Sequence, residues 1–335
     1  MRKHANMLFF LFNDFIYLSS KCKAKMWENL TKPTYFFING ISDLAYLQVP
    51  IFLLVLFIYL FTLVGNMLIL ILVCLDAQLH TPMYFFLAHL SILDMSCSTI
   101  TLNKQLAIFI TGDHTISLLT CFAQLYIFSC LECVELLILT AMGYDRFVAI
   151  CRPLHYPTIM NRSTCANFAI LCWLLGFLEV IPYIVLLSNY TCYRSNVINH
   201  FFCDLVPLIK LSCNDTTALE HLMLIEGSLL LSFLPFLLTF ISYMFIIYTI
   251  LQMQSRNGRS KAFYTCSSHL TVVILLYVTL ICQYLRPSTT DYADFNKLFS
   301  LFNTAAVPIL NPLIYSLKNK QVKSALKRKI PACKI

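Results

Sequence analysis

The chain has 335 residues, of which 59% are hydrophobic and 12% are charged, and its formal net charge is +8. This charged fraction is about half of that in an average soluble domain, so the composition excludes a disordered chain and disfavours a surface that faces water on all sides. A membrane protein is the class that the composition predicts.

Residues 1–25 form an N-terminal extension, which we treat as a segment of its own. A basic start followed by the apolar run 7–18 is typical of a signal peptide. Asn13 and Asp14 interrupt that run, and no clear cleavage site follows it. We therefore favour a translation start at Met26, and a cleaved signal peptide is the alternative.

Seven long stretches with few charged residues follow the extension. Each is long enough for a transmembrane helix, which needs about 20 apolar residues. The stretches lie within residues 43–76, 82–103, 115–144, 163–193, 221–254, 262–285 and 298–317. Strict alternation of apolar and polar residues is absent, which disfavours a β-barrel. We expect an all-α fold, a bundle of seven transmembrane helices.

The basic residues orient the chain across the membrane. Seven spans place the two termini on opposite sides, and Lys and Arg are more frequent on the side of the C-terminus. The positive-inside rule therefore places the C-terminus in the cytosol and the N-terminus outside the cell. A glycosylation acceptor at Asn29, followed by Leu30 and Thr31 close before the first span, supports this orientation.

Four cysteines lie on the predicted outer side of the membrane. Cys121 stands near the start of the third span, and Cys192, Cys203 and Cys213 stand in the long loop after the fourth. An even number of cysteines on the oxidising side predicts two disulfides. Four cysteines allow three pairings, and spacing does not choose among them. Packing of free thiols is the alternative.

Several polar residues lie within the predicted spans, where an ionisable group is costly and is a functional candidate. At 1.5 Å per residue, Asn66, Asp94 and Glu135 lie at one level, roughly 15 to 18 Å from the cytosolic ends of their helices. The two carboxylates, Asp94 and Glu135, predict a bound sodium ion or a shared proton, because two bare charges would repel. The alternative is that these groups only hydrogen-bond the helices together.

The most distinctive motif ends the third span. Residues 141–151 read AMGYDRFVAIC and closely resemble the MAYDRYVAIC signature of olfactory receptors, which are rhodopsin-like G-protein-coupled receptors. Further matches follow in the family's order at Gly65-Asn66, at residues 79–87 (LHTPMYFFL), at residues 198–204 (INHFFCD), at Ser242-Tyr243, at residues 261–270 (KAFYTCSSHL) and at residues 308–315 (PILNPLIY). The loop motif resembles the tetrapod-type, class II branch. One departure, Phe147 in place of Tyr, removes a hydroxyl beside the expected G-protein site and bears on coupling efficiency.

The resemblance implies the disulfide pairs Cys121–Cys203 and Cys192–Cys213. It also implies that small volatile odorants bind in the outer part of the bundle, between the third, fifth and sixth spans. The matching ligand-binding positions are Phe128, Ser129, Glu132, Cys133, Gly227, Leu231, Tyr277, Leu280, Ile281, Tyr284 and Thr304. Most of them are apolar and a few carry hydroxyl groups, which suits a small ligand in a mostly dry cavity.

On the cytosolic side the resemblance implies a heterotrimeric G protein of the stimulatory, olfactory type, which raises cAMP. The positions assigned to coupling and activation are Asp145, Arg146, Tyr243, Asn311, Pro312 and Tyr315. At rest Arg146 is expected to pair with Asp145. We expect no catalytic residue, no nucleic-acid partner, no firmly assigned metal and no cofactor other than the sodium ion or proton at Asp94 and Glu135.

The resemblance divides the chain after the extension into two parts. Residues 26–318 form the receptor domain, and residues 319–335 form a basic cytosolic tail with a short amphipathic helix on the inner leaflet of the plasma membrane. His269 and His155 stand at expected cytosolic helix ends, where we predict a solvated or capping role. A chemosensory receptor outside the nose is one alternative, and a membrane transporter is a more distant one because the sequence has no internal repeat.

Overall fold

The computed structural model describes residues 33–42, 44–225, 233–284, 293–314 and 320–329. Long helices dominate this part of the chain because a helix satisfies its backbone hydrogen bonds internally, as a lipid environment demands. In chain order the α-helices of more than four residues are α1 (Gln48–Leu75), α2 (Pro82–Thr111), α3 (Leu118–Cys151), α4 (Arg162–Glu179), α5 (Ile181–Ser188), α6 (Leu205–Leu211), α7 (Thr217–Leu222), α8 (Leu234–Gln252), α9 (Arg256–Tyr284), α10 (Ala293–Leu301), α11 (Val307–Pro312) and α12 (Lys320–Lys329). A single helical turn, Tyr156–Ile159, precedes α4.

Six helical segments of the described chain are long and apolar enough to cross a membrane. They are α1, α2, α3, α4 joined to α5, α8 and α9, and they correspond to the first six predicted spans. The fourth span divides at Val180, just before Pro182, whose ring removes a backbone donor. The chain is therefore a multi-pass membrane protein.

The described part of the seventh predicted span, residues 298–314, is helical but not regular. It consists of α10, a π-helical segment at Phe302–Ala306, and α11. Pro308 and Pro312 fall in α11, and each lacks the N–H that a regular α-helical ladder uses. With this segment, the predicted all-α bundle of seven helices is confirmed.

A three-stranded sheet closes one end of the bundle. β1 (Tyr35–Ile38) is the central strand and pairs antiparallel with β2 (Thr115–Ser117) and parallel with β3 (Val197–Ile198). The sheet joins the segment before α1, the connection between α2 and α3, and the loop after α5. We call this the outer end of the bundle, and the opposite end the inner end.

The third predicted span, residues 115–144, is wrong at both ends. Its first three residues are β2, because Thr115 and Ile116 are β-branched and pair with β1. The helix begins only at Leu118, where the Ser117 side chain accepts a hydrogen bond from the Thr120 backbone at 3.1 Å and caps the helix. α3 also continues a further two turns past the predicted end.

Two disulfides fix the long outer loop. Cys121 is bonded to Cys203, with a Cα–Cα distance of 5.4 Å, and Cys192 is bonded to Cys213, with a distance of 5.3 Å. Both pairings that the resemblance implied are present. Beside the first disulfide, the Cys203 backbone N–H donates to Oε1 of Gln124 on α3 at 2.9 Å. The loop is thus held directly against the outer end of α3.

The bundle packs around α3, and its contact with α4 is especially close. Gly176 on α4 faces Val134 on α3, and a Cβ atom at Gly176 would lie 2.5 Å from the Val134 side chain. Only glycine allows the two backbones to approach this closely. This contact sets the position of α3, the helix that bears candidate residues at both ends of the bundle.

A short helix covers the inner end. α12 buries Val322 and Ala325 against the bundle and leaves Lys323, Lys327 and Lys329 exposed. Arg328 donates from Nε and Nη2 to Oδ2 of Asp76, at 3.1 and 2.5 Å, which joins α12 to the connection between α1 and α2. These hydrogen bonds lower the pKa of Asp76 below its ordinary value.

Candidate functional site

The inner end of α3 carries a closed polar network. Arg146 and Asp145 form an ion pair, in which Arg146 Nε donates to Oδ2 of Asp145 at 3.0 Å. The other carboxylate oxygen of Asp145 accepts a hydrogen bond from the Tyr156 hydroxyl at 2.8 Å. Asp145 is fully buried, so these partners replace the water that the carboxylate has lost. The expected pairing of Arg146 with Asp145 is present, whereas the role of Tyr156 was not predicted.

A second inner network links α3, α8 and α9. The Tyr243 hydroxyl lies 2.7 Å from Nδ1 of His269, and Nε2 of His269 lies 3.1 Å from the backbone carbonyl of Leu139. Because that carbonyl can only accept, Nε2 of a neutral ring carries the proton and Nδ1 accepts from Tyr243. His269 is fully buried, so the predicted solvated or capping role is wrong. α9 begins at Arg256, well before His269, so His269 lies within the helix and inside the bundle.

The middle of the bundle joins α2 to α11 through a buried carboxylate. Asn311 Nδ2 donates to both oxygens of Asp94, at 3.0 and 3.1 Å. Asn66 instead donates to the carbonyl of Pro308 at 3.1 Å. Asn66 and Asp94 therefore each hold the irregular seventh segment in place. Their similar predicted depth in the membrane did not reveal these contacts.

Glu135 on α3 lies close enough to Asp94 on α2 for a charge on one carboxyl group to act on the other. Glu135 is 7% exposed, and its Oε1 has no hydrogen-bond partner among the described residues; neither has Oδ1 of Asn311. Two carboxylates and an amide oxygen are ligands of the kind that a sodium ion takes. No group of three or more His, Cys, Asp or Glu in the described part of the chain is placed to hold a metal ion.

Those predicted ligand-binding residues that the structure describes differ in exposure and do not form one uniform surface. Phe128, Cys133, Tyr277, Leu280 and Thr304 are buried. Ser129 and Glu132 are half-buried, and Ile281 is 51% exposed. The side chain of Tyr284, and the whole of Gly227, Leu231, Tyr315 and Asn29, lie outside what the structure describes.

Two of these residues belong to the main buried cluster of the bundle, and Cys133 belongs to another. Tyr277 and Leu280 on α9 belong to the same buried cluster as Leu131 and Val134 on α3. Cys133 packs instead with Val180, at the junction of α4 and α5. The helical turn decides this difference, because Cys133 stands on a face of α3 about 160° from the face of Leu131.

The outer loop covers Phe128 at the outer end of α3. Phe202 packs edge to face on Phe128, with a distance of 4.9 Å between ring centroids. Phe201 and His200 stack beside it, and all three loop residues are at least 98% buried. The INHFFCD motif marked this loop in the sequence, but nothing in its spacing predicted contact with Phe128.

Comparison with known proteins agrees with this geometry. A family model described as olfactory receptor matches residues 55–332. The chain is 43% identical to the human Olfactory receptor 5B12 over 309 residues, which is 92% of this chain and 98% of the relative. It is 48% identical to the human Olfactory receptor 8K1 over 300 residues, 89% and 93% of the two chains. It is 44% identical to Olfactory receptor 5G26 of Mus musculus over 303 residues, 90% and 95% of the two chains. The chain therefore belongs to the olfactory receptor family, whose members are receptors and not enzymes.

Proposed function

We propose that this receptor binds small volatile odorants in the outer half of the bundle and activates a stimulatory, olfactory-type G protein at the inner end, which raises cAMP. The observation that carries the proposal is the architecture of α3. This one helix bears Phe128 under the outer loop and the buried Asp145–Arg146 pair at the inner end. A ligand that moves α3 or its neighbours at one end therefore acts on the same rigid element at the other.

The odorant cavity is lined mainly by apolar groups. Phe128, Tyr277 and Leu280 supply buried apolar surface on two helices. The Tyr277 hydroxyl is buried and has no hydrogen-bond partner in the described chain, and Glu132 on α3 is a half-buried carboxylate. A mostly apolar site with a few polar groups suits a small, weakly polar ligand.

Activation is a shift between two arrangements of the bundle, without a covalent step. At rest Asp145 holds Arg146, and His269 ties α9 to the backbone of α3. An odorant that binds more tightly to the active arrangement favours movement of α9 away from α3. That movement breaks the bond from His269 to Leu139 and frees Tyr243 and Arg146 to meet the G protein.

The orientation follows from chemistry at the two ends. Disulfides form in an oxidising compartment, which supports an extracellular outer end. The exposed lysines of α12 suit the anionic cytosolic leaflet of the plasma membrane. In this orientation the N-terminus is extracellular and the C-terminus cytosolic, and Asn29 is available for glycosylation.

The direct test is cAMP in cells that express the full chain with a surface tag. A broad odorant panel is applied, and cells without the receptor serve as the control. We expect dose-dependent responses to a subset of compounds. Silence across the panel, with the receptor confirmed at the surface, would contradict the proposed function.

Replacing Tyr156 by Phe should raise basal cAMP roughly fivefold. The change deletes the hydrogen bond to Asp145 and leaves the ring, and a net loss of about 1 kcal/mol shifts a two-state equilibrium by about that factor. Basal cAMP is measured at matched surface level. Tyr248→Phe is the control, because Tyr248 is 62% exposed on α8. An unchanged baseline in Tyr156→Phe would show that this bond does not hold the resting state.

We also propose that Asp94 and Glu135 hold a sodium ion at rest. Sodium chloride should raise the thermal unfolding temperature of the purified receptor by a few degrees over choline chloride at equal ionic strength, because an ion bound only by the folded state stabilises it. The difference should vanish in Asp94→Asn and persist in Asp215→Asn, which changes an exposed outer carboxylate. Equal unfolding temperatures in both salts would contradict a bound sodium ion and favour a shared proton. A shared proton would make the unfolding temperature depend on pH, and Asp94→Asn would remove that dependence.

A further inference from the structure

Two buried polar atoms at the outer end have no hydrogen-bond partner in the described chain. They are Oε1 of Gln105 on α2 and Nε2 of His200 in the outer loop. Each residue is only 2% exposed. An unsatisfied buried polar atom costs about 1 to 3 kcal/mol, so each such atom requires an explanation.

Both residues contact Gly40, which follows β1, Gln105 with its side chain and His200 with its backbone carbonyl. The Gly40 backbone N–H donates to the carbonyl of His200 at 3.1 Å. On its other side, a Cβ atom at residue 40 would lie 3.1 Å from Nε2 and 3.2 Å from Oε1 of Gln105. Gly40 also has a φ of +84°, which favours glycine. The Gln105 side chain and the His200 backbone therefore both lie against Gly40.

The chemistry of the two atoms is complementary. The Phe202 backbone N–H donates to Nδ1 of His200 at 3.4 Å, so Nε2 carries the proton of the neutral ring. Burial lowers the pKa of His200 to about 3, and the positive charge of Lys297 acts in the same direction. His200 is therefore neutral at physiological pH and offers a donor, while Gln105 offers an acceptor. A hydroxyl group satisfies both, because it accepts one hydrogen bond and donates another.

The surroundings of this pair are apolar and continuous with the odorant site. The His200 ring lies 4.7 Å from Phe201 and from Phe202, and Phe202 contacts Phe128. Leu102, one turn before Gln105 on α2, belongs to the same buried cluster. If a ligand binds here through a hydroxyl group, the remainder of the ligand lies among aromatic and aliphatic side chains.

We propose that His200 and Gln105 together bind the hydroxyl group of an alcohol odorant, in a subsite beneath Gly40 on the α2 side of Phe128. The inference rests on the proposed function and names its ligand class. The His200 Nε2–H donates to the hydroxyl oxygen, and the hydroxyl proton is donated to Oε1 of Gln105. A bound water has the same hydrogen-bonding chemistry, and the experiment distinguishes the two.

The test uses the full-length receptor and matched ligands. Straight-chain primary alcohols, their methyl ethers and the corresponding alkanes are compared within the broad odorant panel by cAMP. The wild-type receptor should respond to alcohols at concentrations about tenfold lower than to ethers or alkanes, the factor expected when one partner of a buried hydrogen-bonded pair is missing. This comparison requires no variant.

Variants then assign the effect to the two residues. His200→Phe and Gln105→Leu should each weaken the response to alcohols about tenfold, and the double variant should be no weaker than either single one, because both residues act on one group. His200→Gln keeps a donor and should recover part of the response. His221→Phe is the control, because His221 is exposed on α7. Responses are compared at matched surface level.

The possible outcomes distinguish failure of the alcohol subsite from failure of the proposed function. A receptor that responds to odorants with no preference for alcohols, and whose variants lose only thermal stability, holds a water at this site, and the alcohol subsite is overturned while the proposed function stands. Tenfold effects that simply add in the double variant would also overturn the shared hydroxyl. Silence to every odorant would overturn the proposed function and the subsite with it.

Discussion

Replacing Arg146 by Ala is expected to abolish odorant-driven cAMP while the receptor still reaches the cell surface. Arg146 is the only residue in the described chain paired with Asp145 by charge. In the proposed mechanism its guanidinium is the group that activation frees for the G protein. The loss follows from chemistry, because alanine offers neither charge nor the donor fork that a guanidinium presents to carbonyls and carboxylates. The response should fall to the level of cells without receptor at every odorant concentration.

Folding must be separated from coupling in this test. Removing one partner of a buried pair leaves Asp145 uncompensated, which costs several kcal/mol. The double variant Asp145→Asn with Arg146→Ala removes that stranded charge and should also be silent. Arg152→Ala changes an exposed arginine nearly two turns beyond the pair, at the end of α3, and this variant should signal normally. Normal odorant-driven cAMP in Arg146→Ala would refute the proposed activation mechanism.

Replacing Cys203 by Ala should prevent most of the receptor from reaching the surface. Cys203 is bonded to Cys121 across 82 residues of sequence, and closing a loop of that length stabilises the fold by about 4.5 kcal/mol in the chain-entropy model. The same bond holds the loop residues His200, Phe201 and Phe202 over Phe128. Loss of it affects both folding and the odorant site. Surface labelling and thermal unfolding of the purified protein measure the effect.

The second disulfide should matter less. Cys192 and Cys213 are 21 residues apart, which corresponds to about 3.3 kcal/mol in the same model, and they fix the loop away from Phe128. Cys192→Ala should therefore lower surface level by a smaller factor than Cys203→Ala. Cys74→Ala, an exposed free thiol on α1, should have no effect. Equal surface levels for Cys203→Ala and the wild type would contradict the structural role of the first disulfide.

Much of the fold was predictable because local composition decides it. A stretch of about 20 apolar residues has few alternatives to a helix in lipid, so the seven spans followed from hydropathy alone. The boundaries were less certain, because the start of α3 depends on pairing between β1 and β2, which lie far apart in sequence. His269 was misjudged for a related reason, since its burial depends on where α9 begins.

At the candidate sites, too, some contacts were predictable from the sequence and others were not. Adjacent residues such as Asp145 and Arg146 could be paired from the sequence because neighbouring positions at a helix end lie close together. The bond from Asn311 to Asp94 spans 217 residues, and the bond from Cys203 to Gln124 spans 79. No periodicity within a single segment carries that information. Cys133 likewise matches a ligand-binding position, but the rotation of α3 places it against Val180.

By itself the sequence determined the class of the protein, the number of its spans, its family resemblance and the residues that carry costly charges within the membrane. These properties follow from the free energy of moving each segment from water into lipid, which is local and additive. Only the tertiary structure decided which polar groups meet, which remain unsatisfied and how the outer loop covers Phe128. Those properties depend on the relative rotation and depth of packed helices, because a turn of 100° per residue changes the neighbour of every side chain.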